Sequence, residues 1–202
     1  MRQVDLHIQA GLLLVALCAC GQGTFTFDQQ SSTDDSPLAY GSGPTVQSQL
    51  PSAGQSFSPS LAGVDFIRLK FNDGDLTDGL GANIYLNLRT DSITGPILGT
   101  TAAVTMADGF RGVRDFFLPA TVSLTSGATY YFELTLQSGG PWRTSIASYN
   151  YTGGEAFRQG LPYPGGDYWF REGLYVIPEP SSAVLSLVVG GTLVLLRRTK
   201  RV

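Results

Sequence analysis

Ala82-Asn83-Ile84-Tyr85-Leu86-Asn87-Leu88-Arg89 alternates apolar and polar side chains from end to end. In an extended strand successive side chains point to opposite faces. Ala82, Ile84, Leu86 and Leu88 therefore share one face, and Asn83, Tyr85, Asn87 and Arg89 the other. One dry and one wet face is the pattern of an antiparallel sheet packed on a core from a single side. Tyr130 to Gln137 repeats it, with Tyr130, Phe132, Leu134 and Leu136 set against Tyr131, Glu133, Thr135 and Gln137. Asp65 to Phe71 repeats it again: Ile67, Leu69 and Phe71 inward, Arg68 and Lys70 outward.

Shorter strands are expected at Ile97 to Val104, Asp115 to Leu118, Val122 to Leu124, Ile146 to Tyr151, and Tyr168 to Phe170 running on into Leu174 to Val176. Turn formers separate them, among them Asn72-Asp73-Gly74, Ala107-Asp108-Gly109, Gly139-Gly140-Pro141 and Pro164-Gly165-Gly166. About eight strands at this spacing predict an all-β fold, an antiparallel two-sheet β-sandwich of jelly-roll-like topology. No helical period exceeds two turns, and no internal repeat is visible.

Composition agrees. The chain has 202 residues, 14% of them charged, with 25 Gly and 11 Pro. Charge is low and turn formers are many compared with an average soluble domain. The reactive residues are unevenly placed: Cys18, Cys20 and His7 all fall in the first 20 residues. If that segment is removed, the remaining body has neither Cys nor His.

Residues 1–21 read as a secretory signal. Arg2 precedes the apolar stretch Gly11 to Cys20, which is too short to span a bilayer, and Ala19-Cys20-Gly21 offers a small-x-small cleavage site before Gln22. A second reading is a lipoprotein signal, in which Leu17-Cys18-Ala19-Cys20 places a lipidated Cys20 at the new terminus. Both readings take the chain out of the cytoplasm.

The other end has three parts in fixed order. Pro178-Glu179-Pro180 is followed by the apolar run Ala183 to Leu196, a short hydrophobic helix, and then by Arg197-Arg198-Thr199-Lys200-Arg201. Prolines hold the preceding backbone extended. The run is short for a span, and the basic residues hold its end on the cytoplasmic side. This tail, residues 177–202, resembles the PEP-CTERM protein-sorting signal of Gram-negative bacteria. The resemblance implies Pro178, Glu179 and Pro180 as the sorting motif and Arg197, Arg198, Lys200 and Arg201 as the basic stop. It further implies an exosortase-type membrane transpeptidase as partner and inner-membrane tethering through helix 183–196 before processing. The destination it implies is the cell surface or an exopolysaccharide matrix. A simple C-terminal anchor is the plainer alternative.

Between the ends lies the body. Leaving out Arg2, Arg197, Arg198, Lys200 and Arg201 takes the 13 basic residues to 8; leaving out Asp5 and Glu179 takes the 16 acidic ones to 14. The body thus carries about −6. Nucleic acid, which wants a basic face, is not an expected partner. By the same net charge an anionic polysaccharide is disfavoured and a neutral glycan is not. Residues 22–54 read as a weakly ordered arm or an edge strand with a long loop, and 55–176 as the sandwich domain. Gly54 to Ser60, Ser92 to Gly99 and Leu124 to Phe132 resemble segments of bacterial extracellular β-sandwich modules, a likeness that implies fold and location but no activity.

Two constellations carry chemistry. Asp73, Asp75 and Asp78 stand in a Gly-broken loop, an oxygen-rich pattern that suits Ca²⁺ and equally suits a solvated turn. Trp142, Tyr149, Tyr151, Tyr163, Tyr168 and Trp169, with Asp167, crowd the last third. Rings on loops can stack on sugars, with Trp142 the expected exposed ring; packing into a small core is the competing reading. Catalysis is not expected. Without Cys or His the body has no Ser-His-Asp or Cys-His arrangement and no typical zinc site, and nothing in the spacing pairs Glu133, Glu155 or Glu172 for glycosidase work. Arg171-Glu172-Gly173 reads as a local ion pair closing a turn. The sequence thus leads to an exported, non-enzymatic surface or matrix protein, structural or adhesive, associated with exopolysaccharide. The alternative is a calcium-stabilised, lectin-like carbohydrate-binding module.

Overall fold

The structure is a computed structural model that describes residues 23–35, 45–46 and 53–177. The expected signal segment, the Pro178-Glu179-Pro180 motif, the 183–196 helix and the basic cluster lie outside the described residues. Phe25–Tyr175 is one unit, distinct from that of Met1–Thr24 with Val176–Val202.

The described residues are all-β, without a helix, and every pairing whose register is resolved is antiparallel. The first sheet contains β1 (Thr24–Gln30), β2 (Thr45–Val46), β4 (Gly63–Asp73), β8 (Arg111–Ser123), β10 (Trp142–Thr144) and β15 (Phe170–Val176). Its centre is β4, with β8 along one side and β15 and β10 end to end along the other; β1 flanks β15 and β2 flanks β10. The second sheet contains β3 (Ala53–Phe57), β5 (Ala82–Thr90), β6 (Ile97–Thr100), β7 (Val104–Met106), β9 (Tyr130–Gly139), β12 (Ala156–Arg158) and β13 (Leu161–Tyr163). A small ladder joins β11 (Ile146–Ala147) to β14 (Asp167–Tyr168).

The apolar half of the alternation in the three long strands faces inward. Ala82, Ile84, Leu86 and Leu88 of β5, Phe132 and Leu134 of β9, and Ile67, Leu69 and Phe71 of β4 are buried in one core. Phe170 of the first sheet meets Phe57 and Phe132 of the second at 6.5 and 5.5 Å between ring centroids. Inner faces of both sheets thus close on each other.

The outer face of the first sheet is not wet, contrary to the pattern. Lys70, expected outward and solvated, is 0% exposed, and Phe66 is equally buried. The cover is β1 and the segment after it. Phe25 and Phe27 pack on Phe66, with centroids 4.9 and 5.7 Å away. Asp28 accepts from the backbone N–H groups of Ser60 and Leu61 and from the Ser60 hydroxyl. Gly173 makes the approach fit, since a Cβ there would collide with the Thr26 carbonyl oxygen.

Other expectations shift in detail. Asp115 to Leu118 and Val122 to Leu124 merge into the single strand β8, whose register against β4 slips between Val64 and Phe66, a bulge in place of a turn. Ile97 to Val104 divides into β6 and β7. Glu172 lies inside β15 and not in a loop, and Arg171 does not pair with it. Neighbours along a strand face opposite ways, so Arg171 reaches outward to Asp35 at 2.8 Å while Glu172 enters the interior.

Candidate functional site

The aromatic-rich third of the chain folds largely inward. Trp142, expected as the exposed ring, is 0% exposed. It stands in β10 between β4 and β2 and stacks on Phe110 at 6.1 Å. Its indole N–H finds no acceptor among the described residues. Tyr168 and Trp169 are also fully buried. Tyr168 donates its hydroxyl to the Phe157 carbonyl at 3.0 Å, and burial holds its phenol well above the usual tyrosine range. The half-buried Tyr149 hydrogen-bonds Ser145 through its hydroxyl at 2.9 Å. For Trp142, Tyr168 and Trp169 the packing reading holds, because each sits on or beside a strand with a partner sheet or segment over its ring.

Tyr151 and Asp167 do come together. Asp167 is buried and accepts the Tyr151 backbone N–H at 3.0 Å and the Gln55 amide at 2.9 Å. Gln55 in turn accepts from the Tyr168 backbone N–H at 3.0 Å. The Tyr151 ring packs edge-on against Phe170, and its hydroxyl accepts from the Ser58 N–H. Burial pushes that hydroxyl's pKa up to about 12.

This network forms one wall of an open groove of about 560 Å³ between the loops 148–155 and 163–167. The Ser148 hydroxyl donates to the Gly165 carbonyl at 3.1 Å and ties the two loops together. Asn150 and Gly165 hold φ of 59° and 83°, the left-handed turns that bring the loops round. Tyr163, at 39% exposure, supplies the open ring. A Cβ at Gly166 would stand 3.0 Å from that ring, so the missing side chain lets the ring lie along the backbone. Glu155, Asn150 and Thr152 add exposed polar groups around it. Aromatic face, carboxylate, amide and hydroxyl are the groups that hold a sugar ring. Sequence reasoning put Tyr163 in the aromatic cluster but missed its prominence; Leu161-Pro162-Tyr163, exposed throughout as an edge strand, carries that signal.

The three aspartates of the proposed calcium loop are not gathered on a common point. Asp73 accepts from the N–H groups of Asp75 and Gly109, Asp75 from the N–H and hydroxyl of Thr77, and Asp78 from the N–H of Leu80. Asp75 and Asp78 each cap their own turn, and Asp73 ties its turn to the distant Gly109. Asp108 sits near two of them. Its pKa is raised by desolvation, then by a hydrogen bond to Asp73 and by repulsion from Asp73 and Asp78. Among the described residues no group of three or more His, Cys, Asp or Glu is arranged to hold a metal.

The glutamates weighed for catalysis are apart. Glu133 is buried on β9 and held by Asn87 and Arg89, its closest ion-pair distance 2.6 Å. Glu155 is an exposed loop residue in the groove wall. Glu172 is fully buried; one carboxyl oxygen accepts the Gln29 N–H at 3.1 Å and the other has no partner among the described residues. Burial, helped by the nearby Asp28, raises its pKa to about 8.

Compared with protein-family models and with curated proteins, the chain matches none.

Proposed function

We propose that the chain is an exported protein of the cell surface or extracellular matrix, structural or adhesive in role, that associates with exopolysaccharide. On this reading the body is a jelly-roll-like β-sandwich, residues 1–21 are a signal, and residues 177–202 are a PEP-CTERM-type tail handled by an exosortase-type transpeptidase. The observation that carries the glycan part is the Tyr163 groove, where an open ring stands among exposed polar groups on loops anchored by the buried Gln55–Asp167 network. A body charge near −6 favours neutral sugar units in that groove, with hydroxyls bonded by Glu155, Asn150 and Thr152.

Retention on a neutral exopolysaccharide tests it. Tyr163→Ala should weaken binding about tenfold, the worth of one stacked ring, while the melting temperature stays put because the ring is not in the core. Retention equal to that of the unaltered chain would remove the groove as the glycan site.

A further inference from the structure

The outer face of the first sheet carries a run of alternating aromatic rings and cations. The Arg68 guanidinium carbon lies 4.3 Å from the Phe25 ring centroid and 5.3 Å from that of Phe27. Arg171 lies 5.3 Å from Phe27 and 4.8 Å from Trp169, and the Lys70 ammonium lies 4.8 Å from the same indole. Three of the body's 8 basic residues thus share one face, and of these Arg68 is ion-paired with Asp115 through two hydrogen bonds.

One end of this ladder is covered by five residues. Ser31 is the anchor: its hydroxyl donates to the Tyr168 carbonyl at 2.7 Å and accepts the Phe170 N–H at 3.0 Å. Beyond it, hydrogen bonds run from cationic and indole donors of the ladder to oxygens of the segment. Arg171 donates to the Ser32 carbonyl and the Asp35 carboxylate, and Lys70 and Trp169 both donate to the Asp34 carbonyl. Thr33, Asp34 and Asp35 are themselves exposed, whereas Lys70 and Trp169 beneath them are fully buried. The groups it offers to the ladder's donors are oxygens.

We propose that this ladder is a binding site for the carboxylates of an acidic polysaccharide, and that Ser31–Asp35 occupies its Lys70–Trp169–Arg171 end in cis. What the cradle holds in place is the Asp35 carboxylate and two carbonyl oxygens at hydrogen-bond distance; a uronic acid chain presents a carboxylate and hydroxyl oxygens at every residue. A nucleic acid fits less well, because cations already stand over the buried indole and leave no face for a base to stack on. The acidic net charge opposes approach only at long range; within a Debye length of about 8 Å the local cations and their donors decide. The site deepens the exopolysaccharide reading but shares no residue with the Tyr163 groove.

Titration of the full chain with polygalacturonate tests the proposal, with neutral dextran and oligo(dT) as comparison polymers. Ser31→Ala, and separately Asp34→Asn with Asp35→Asn, should loosen the cover and tighten polygalacturonate binding about fivefold, the worth of one surface ion pair. Adding Arg171→Gln should erase that gain. If that variant fails to fold, as judged by its melting curve, Lys70→Met, which removes the other cation of the same end, is the substitute and should erase it likewise. Tyr163→Ala should leave this titration unchanged, so failure of the ladder and failure of the groove are told apart. The proposal is overturned by an absence of tightening in both cover variants, by equal tightening toward dextran, or by tighter binding of oligo(dT).

Discussion

Glu172 is a carboxyl enclosed by the protein on every side, with one oxygen bonded to the Gln29 N–H and the other unmatched. A pKa raised from the ordinary 4.5 to about 8 means that the folded chain keeps a proton the unfolded chain releases. Between those two values the unfolded state binds fewer protons, so stability falls as pH rises and levels off above about pH 8. The limiting slope is about 1.4 kcal/mol per pH unit for one proton. Urea melts at pH 5 and pH 8 should show the unaltered chain weaker at the higher pH, and Glu172→Gln should flatten that difference. An unchanged slope in the variant would place the titration elsewhere. Trp142 makes the complementary point. Buried against Phe110, it should cost about 3–5 kcal/mol on replacement by Ala, read as a large drop in melting temperature. Its loop-like surroundings, Gly139-Gly140-Pro141, gave no hint of this, because the partner ring stands 32 positions earlier in the chain and only the register of β10 on β4 brings it near.

At the scale of elements, β1 is the strand whose role was hardest to read. Residues 22–54 have the composition of an arm, yet Phe25 and Phe27 convert the outer face of the first sheet into a second, smaller packing layer. Gly173→Ala should drive the Thr26 carbonyl away and release β1, at a cost of about 1–3 kcal/mol. Amide exchange should then quicken over Phe25–Gln30 while β5 and β9 stay protected; uniform loss of protection would mean that β1 is integral to the core. The long strands were legible because period two is local: Ile84, Leu86 and Leu88 announce their face without reference to anything distant. Lys70 was not, since its neighbours in sequence say outward and its cover comes from residues 31–35. The loop Asp73–Asp78 was half legible. Its residue types suit turn and ion alike, and only the hydrogen bonds show each carboxylate engaged by backbone N–H groups of the fold. Chelator should therefore leave the melting temperature unchanged, and a calcium-dependent rise would contradict that account.

For the whole molecule, charge and chemistry are distributed by region. Both cysteines and the histidine fall in the first 20 residues, and five of the 13 basic residues fall in the two ends. The body keeps 8 cations, three of them on one outer face, and places its open polar groove among the loops of its last third. In the proposed role such a body would hold polymer outside the cell. The proposed role requires the chain to reach the outside. Intact mass spectrometry of the protein recovered from the surface and medium of its host measures that directly. The account predicts a chain that begins at Gln22, or at a lipidated Cys20, and that has lost Arg197 to Arg201. A full 202-residue chain kept inside the cell with both ends intact would contradict it.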